Sequence, residues 1–288
     1  MYLGPHQLEL SPFENTPDPR FFFLSEDHRE ALANLVYAVR SQKGMVLLTG
    51  EVGMGKTTTT YLLESRVGDA AKLVIVRRVP STPRQLLWQV AGQLGYQPKG
   101  SENRAQLFDM VDEGLRRERE RNRITMVIVD EAQALPLPVL DEIRLLSNME
   151  TETYKLCQIL LIGQNELREM LQTPRLEPLR QRIILAHHIR PLQREDTGRY
   201  VAHRLKRASA VQPPRVRFTD GALDAVHEMS GGIIRQINVL ADKCLLVAGV
   251  KQTSEISQEI VRDASEHMVF GPQALARVGG AAGRAKAA

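Results

Sequence analysis

Five apolar runs with little polar alternation mark the first two thirds of the chain: residues 45–49 (Met-Val-Leu-Leu-Thr), 73–79, 124–129, 157–162 and 184–190. Unalternating runs of this length predict strands buried on both faces. Between them, apolar positions return every three to four residues, as in one-sided helices, near 56–66, 83–94, 104–121 and 137–149. Strand alternating with helix predicts an α/β architecture, a parallel sheet with helices on both faces. In such sheets ligands bind at the carboxyl ends of the strands.

The flanks read differently. Pro5, Pro12, Pro17 and Pro19 predict an extended or irregular start. The anchor Phe21-Phe-Phe-Leu24 follows, and Ser25 can cap a helix from about Asp27 to Ser41, with Ala31, Leu32, Leu35, Val36 and Val39 on one face. After Pro191 no further strand is predicted. Segments near 193–210, 219–230, 232–249 and 256–268 read as helices of a small all-helical domain. The expected domains are 1–190, α/β with an N-terminal extension; 191–270, helical; and 271–288, a disordered basic tail rich in Gly, Ala and Arg.

Composition changes this picture little. Hydrophobic content is 43% and charged content 25% of 288 residues, ordinary for a globular protein. No apolar run approaches the ~20 residues of a membrane span, and the first residues lack the pattern of a signal peptide. Cys157 and Cys244 lie in apolar surroundings and read as buried thiols in a reducing compartment. No His, Cys and carboxylate cluster suggests a metal centre, and no Ser-His-Asp or Cys-His arrangement stands out. The net charge is +4, of which the tail's Arg277, Arg284 and Lys286 carry three. The body is therefore nearly neutral, which argues against strong nonspecific DNA binding. Arg116 to Arg123 looks basic but has interleaved acids, so a solvated helix end is favoured over a DNA-facing one. Trp88 and Tyr96 read as packing residues rather than base-stacking platforms.

The chemistry is concentrated in residues 50–57, Gly-Glu-Val-Gly-Met-Gly-Lys-Thr, placed between an apolar strand and a helix. This is the P-loop pattern G-x-x-x-x-G-K-[ST]. Gly50, Gly53 and Gly55 allow the backbone to approach phosphates, and the N–H groups from Glu51, Val52 and Met54 through Thr58 wrap them at a helix N-terminus. Lys56 would reach the β- and γ-phosphates, and Thr57 would hold Mg²⁺. A second motif, Met126-Val-Ile-Val129, ends in Asp130-Glu131. Asp130 would join the Mg²⁺ shell and Glu131 would polarise the attacking water. The structural alternative is a helix capped by Asp.

These motifs, with a helical lid behind them, resemble the AAA+ ATPases. Within that class the chain resembles the ExeA/GspA-type family of general secretion, related to the TniB and TnsC transposition ATPases. The matching text runs in order from residue 8 to 268. It includes Thr16-Pro-Asp-Pro-Arg-Phe21, Ser25-Glu-Asp-His-Arg-Glu-Ala-Leu32, Asp130-Glu-Ala-Gln133, Leu161-Ile-Gly-Gln-Asn-Glu-Leu167, Leu179-Arg-Gln-Arg-Ile183 and Ser230-Gly-Gly-Ile-Ile-Arg-Gln-Ile-Asn238.

The resemblance implies further roles. Gln164, or Asn165 one residue on, would be a polar sensor between the strands carrying the P-loop and Asp130; the alternative is a helix cap. Arg182, with Arg180 second, would reach the nucleotide of a neighbouring protomer; the alternative is a surface pair. Arg235 would be a second sensor on the lid, and His28 would line the adenine pocket. The implied cofactors are ATP and Mg²⁺, and the implied partner is the protein itself, in a ring or filament. Double-stranded DNA and a transposase-like or secretion-assembly protein are the candidate outside partners. Secretion members of the family continue into a membrane anchor and a peptidoglycan-binding region. Neither follows here, so the expectation is a cytoplasmic protein without membrane insertion, and the transposition-regulator reading leads over a cytosolic ATPase of a secretion or envelope assembly system and over a nucleotide-gated switch with little turnover.

Overall fold

A computed structural model describes residues 2–16, 18–152 and 154–266. The predicted tail of 271–288 lies outside these. Along the chain, the helical turn α1 (Leu3–His6) precedes α2 (Glu26–Arg40), β1 (Met45–Gly50), α3 (Lys56–Val67), β2 (Ala71–Val76), α4 (Pro83–Gln93), α5 (Arg104–Glu120), β3 (Ile124–Val129) and α6 (Leu137–Leu146). Then come β4 (Cys157–Gly163), α7 (Asn165–Leu171), α8 (Glu177–Arg180), β5 (Ile183–Ile189), α9 (Arg194–Ala208), β6 (Arg217–Phe218), α10 (Asp220–Ser230), α11 (Ile234–Val250), β7 (Glu255–Ile256) and α12 (Gln258–Glu266).

Two compact units result. Of the described residues, one unit holds Glu26–Glu51 and Gly55–Arg190; the other holds those up to Ser25, Val52–Met54 and those from Pro191 to Glu266. The first is the predicted α/β unit, a five-stranded sheet of order β2-β3-β4-β1-β5, parallel throughout and flanked by helices. β1 and β4 are buried along their whole length, which is why their sequences show no alternation. β4 lies between the strand of the P-loop and the strand of Asp130.

The edge strand β2 stops at Val76, short of the predicted 79. Its neighbour β3 ends at Val129, which pairs with Val76, and beyond that point no strand remains to pair with. Glutamines of α4 take over. Gln93 bonds both backbone groups of Ile75, at 2.9 and 2.6 Å. Gln89 does the same for Arg78, at 3.3 and 2.9 Å, and Gln85 accepts from Ser81 N at 2.8 Å. Their four-residue spacing puts all three amides on one helix face, where they satisfy an edge that would otherwise be open. Gln93→Leu strands two partly buried backbone groups. It should cost about 1–3 kcal/mol in urea unfolding; a loss below about 0.5 kcal/mol would contradict this account.

The second unit is mainly helical, with its own core of residues such as Tyr200, Val226, Ile237, Leu245 and Val261. The pair β6–β7, two residues each, corrects the expectation of no strand after Pro191; runs so short carry no readable period. The N-terminal segment is largely without regular structure beyond α1, as expected, but it belongs to this unit, where the sequence reading joined it to the sheet. Beyond α1 it bridges Leu8 to Ser209. The buried Arg204 guanidinium donates to the carbonyls of Pro12 and Glu14 and sits 4.7 Å from the Phe21 ring centroid. These carbonyls have no helix or sheet partner, and a fixed fork of donors replaces it.

The basic run of α5 is largely consumed within the fold. Arg116 pairs with Asp112, Arg121 and Arg123 pair with the buried Glu118, and Arg117 and Arg119 lie over the rings of Tyr96 and Tyr154. Tyr96 packs against the core as expected, whereas Trp88, read as a packing residue, is 46% exposed. Cys157 and Cys244 are free and buried, and burial pushes both thiols up to about 12.

Candidate functional site

β1 delivers Gly50 directly beneath its neighbour β5. A Cβ there would lie 2.9 Å from the Ile189 carbonyl oxygen, so glycine is required for the strands to close. Gly53 (φ +83°) and Gly55 (φ +81°) hold backbone angles that L side chains avoid. A Cβ on Gly53 would collide with Cβ of Arg235, a residue of the same compact unit. That contact brings the predicted lid arginine against the tip of the loop. Val52 is exposed and Met54 fully buried, so Met54 acts as the plug of the loop.

Lys56 opens α3 and is 7% exposed. Its Nζ donates to the carbonyls of Gly50 and Glu51, both at 2.8 Å, leaving one N–H for an anion. Burial, the largest influence, lowers its pKa; Glu131, Asp130, Glu51 and Glu166 oppose that shift. The ammonium is thus the positive centre of an otherwise acidic pocket.

Thr57 Oγ1 donates to Asp130 Oδ2 at 2.9 Å, joining the two motifs across 73 residues. A hydroxyl beside a carboxylate is an oxygen-only pair suited to Mg²⁺, which takes few protein ligands and fills its octahedron with water and phosphate oxygens. Thr58 follows, half-buried in the first turn of α3.

Glu131 adopts the left-handed region (φ 54°) as the chain turns out of β3. Asp130 Oδ1 accepts from its backbone N–H at 2.9 Å. Its own Oε2 accepts from Gln133 Nε2 at 2.5 Å and Gln164 Nε2 at 3.1 Å. Gln133 Oε1 in turn accepts from the backbone N–H of Gln164 at 3.2 Å. Gln133 was not singled out in the sequence, although it closes the string Asp130-Glu-Ala-Gln133.

Of the two sensor candidates, Gln164 touches Glu131, while Asn165 Nδ2 donates to Glu51 Oε1 of the P-loop at 2.6 Å. Gln164 occupies the position before α7 without capping it through its side chain.

α2 carries His28 to the loop: its Nε2 lies 3.2 Å from the Cβ position of Gly55. Asp27 anchors that helix end. Burial works against its charge, but bonds from the backbone N–H and guanidinium of Arg190 hold its carboxyl below the usual range.

Arg180 and Arg182 are not gathered here. Arg180 pairs with Glu177 at 3.8 Å and Arg182 donates to Asn148. Both precede β5, whose register sets Ile183 beside Met45 and Ile189 beside Gly50. They stand at the strand-start edge of the sheet, a strand length of roughly 20 Å from their own P-loop.

Comparisons with known proteins bear on the family and the fold. A family model described as an AAA domain matches residues 39–171. General secretion pathway protein A of Aeromonas hydrophila is 38% identical over 256 residues, 89% of this chain; the chain spans 46% of that relative's length. Among solved structures, the ORC2 protein of Aeropyrum pernix gives a TM-score of 0.65 at 18% identity, covering 90% of this chain and 72% of its own. Cdc6p of Pyrobaculum aerophilum gives 0.67 at 17%, covering 87% and 71%. The RuvB branch-migration motor of Thermotoga maritima gives 0.54 at 17%, covering 84% and 68%. At these identities the structural likenesses speak for the fold alone.

Proposed function

The chain belongs to the AAA+ ATPases, in the ExeA/GspA family, and from that premise we propose that it binds ATP with Mg²⁺ and hydrolyses ATP within an assembly of its own copies. The observation that carries this reading is the junction of Thr57, Asp130 and Glu131: a metal-binding oxygen pair beside a carboxylate held by two amides.

Lys56 would pair with the phosphates, and Thr57 and Asp130 would hold the metal, which neutralises charge as the phosphoryl group transfers. Glu131 would orient a water for in-line attack, with Gln164 and Gln133 fixing its carboxylate. Arg235 would report nucleotide state to the helical unit, and His28 would border the base. Arg182, or Arg180 beside it, would act on a neighbouring copy, because in its own chain the register of β5 places it about 20 Å from the loop.

Assembly would therefore set the turnover. In the leading reading the assembly regulates a partner complex on double-stranded DNA, as related transposition ATPases do. A second reading, an ATPase serving a secretion-assembly complex, is favoured by the 38% identity to a general secretion pathway protein.

ATP turnover per protomer should rise at least tenfold with protein concentration and be lost in Arg182→Ala unless intact protomers are mixed in. Turnover independent of concentration would sink the shared site. Stimulation by duplex DNA at physiological salt supports the first reading; indifference to it supports the second.

A further inference from the structure

Trp88 is the only tryptophan of the chain, and it lies exposed on α4. It lines a cavity of about 380 Å³ together with Arg78, Val79, Arg84 and Gly100. That volume is at the lower end of what holds a small planar ligand. Val79 is 43% exposed beside it. An apolar ring and a branched aliphatic side chain facing solvent together need a reason.

Among the described residues, no carboxylate forms an ion pair with the arginines at this cavity, although the Glu102 carboxylate lies close enough to Arg84 to feel its charge. Among the described residues, Arg77 and Arg78 are exposed and form no ion pair. Arg84 gives two of its five N–H donors to carbonyls, of Glu102 at 2.8 Å and of Gly100, which fixes its guanidinium and leaves the other donors for an anion. The Glu102 carboxylate is turned to the backbone N–H groups of Lys99 and Gly100, at 2.7 and 2.8 Å. A body that is near neutral as a whole therefore concentrates cations at one indole.

The backbone here is also settled. Gln93 and Gln89 already occupy the N–H and carbonyl groups of Ile75 and of Arg78, and Gln85 the N–H of Ser81. An extended peptide gains most of its affinity for a sheet edge by adding a strand, and that route is closed. What stays available is side-chain chemistry: a flat indole for stacking and guanidinium forks for phosphate.

We propose that the Trp88 cavity, lined by Arg78 and Arg84 and with the exposed Arg77 next to them in the chain, is a binding site for unpaired nucleic acid, the indole stacking a base while the arginines hold the flanking phosphates. A concave slot admits a splayed base; stacked bases inside a duplex cannot reach it. The inference goes beyond the nucleotide-dependent assembly and stands apart from it.

Trp88 is its own reporter. The intact protein, without nucleotide, is titrated with a dT oligonucleotide of about twenty nucleotides at about 0.1 M salt. Saturable quenching of tryptophan emission is expected. Anisotropy of the labelled oligonucleotide should show Trp88→Ala about tenfold weaker and Trp88→Phe within about threefold of the parent. Arg77→Glu with Arg78→Glu should lose at least about tenfold and flatten the salt dependence of log Kd by about one to two. Melting temperatures verify that each variant is folded. Absence of binding, binding with unchanged emission, or equal quenching by a blunt duplex would each overturn the proposal. Quenching by a Glu-Leu peptide in place of the oligonucleotide would overturn it in favour of a protein partner.

Discussion

Lys56→Ala is expected to weaken ATP binding at least a hundredfold, to the edge of detection. The residue is 7% exposed, and Glu131, Asp130, Glu51 and Glu166 all act on it. Without its ammonium the pocket keeps these acids and loses the one cation among them, so it repels a triphosphate instead of drawing it in. Removing one side of a desolvated charge pair costs about 2–5 kcal/mol, and about 2.7 kcal/mol corresponds to a hundredfold. The two carbonyls that Lys56 caps, of Gly50 and Glu51, also lose their donor, so circular dichroism must accompany the titration. Calorimetry showing an unchanged affinity in the folded variant would remove the P-loop assignment altogether.

Glu131→Gln should do the opposite, keeping ATP while turnover falls by about 10²–10⁴. The substitution is isosteric. The carbonyl oxygen of a glutamine has two lone pairs and can still accept from Gln133 and Gln164, so the loop has no reason to move. What is lost is the charge proposed to polarise water. Phosphate release measured beside retained ATP separates this outcome from a binding defect. Turnover within tenfold of the parent would mean that another group is the base.

The parts of this protein that the sequence disclosed are those governed by local rules. β1, β3 and β4 are buried on both faces and so read as plain apolar runs, and the P-loop glycines declare their own backbone angles. Asp130 and Glu131 were legible because a strand that ends in carboxylates ends somewhere particular. Distant partnerships were not legible. Nothing local to Gln133 says that it will meet Gln164, which follows the end of the neighbouring strand β4 but lies 31 residues on in the chain. The end of β2 was misjudged because it depends on where β3 stops. Trp88 was taken for core because composition favours burying an indole, and only the packing of α4 against the sheet decides which face it takes. The N-terminal segment is as irregular as its prolines suggest, but that its carbonyls are held by Arg204, far along the chain, was not legible.

The left-handed backbone at Glu131 has one more consequence. A residue with a Cβ is disfavoured there by about 1–2 kcal/mol, whereas glycine adopts the angle freely and asparagine nearly so. Any redesign of this chain scored only on melting temperature would therefore be drawn to glycine at position 131, and would arrive at a sturdier protein with no carboxylate at the turn that follows β3.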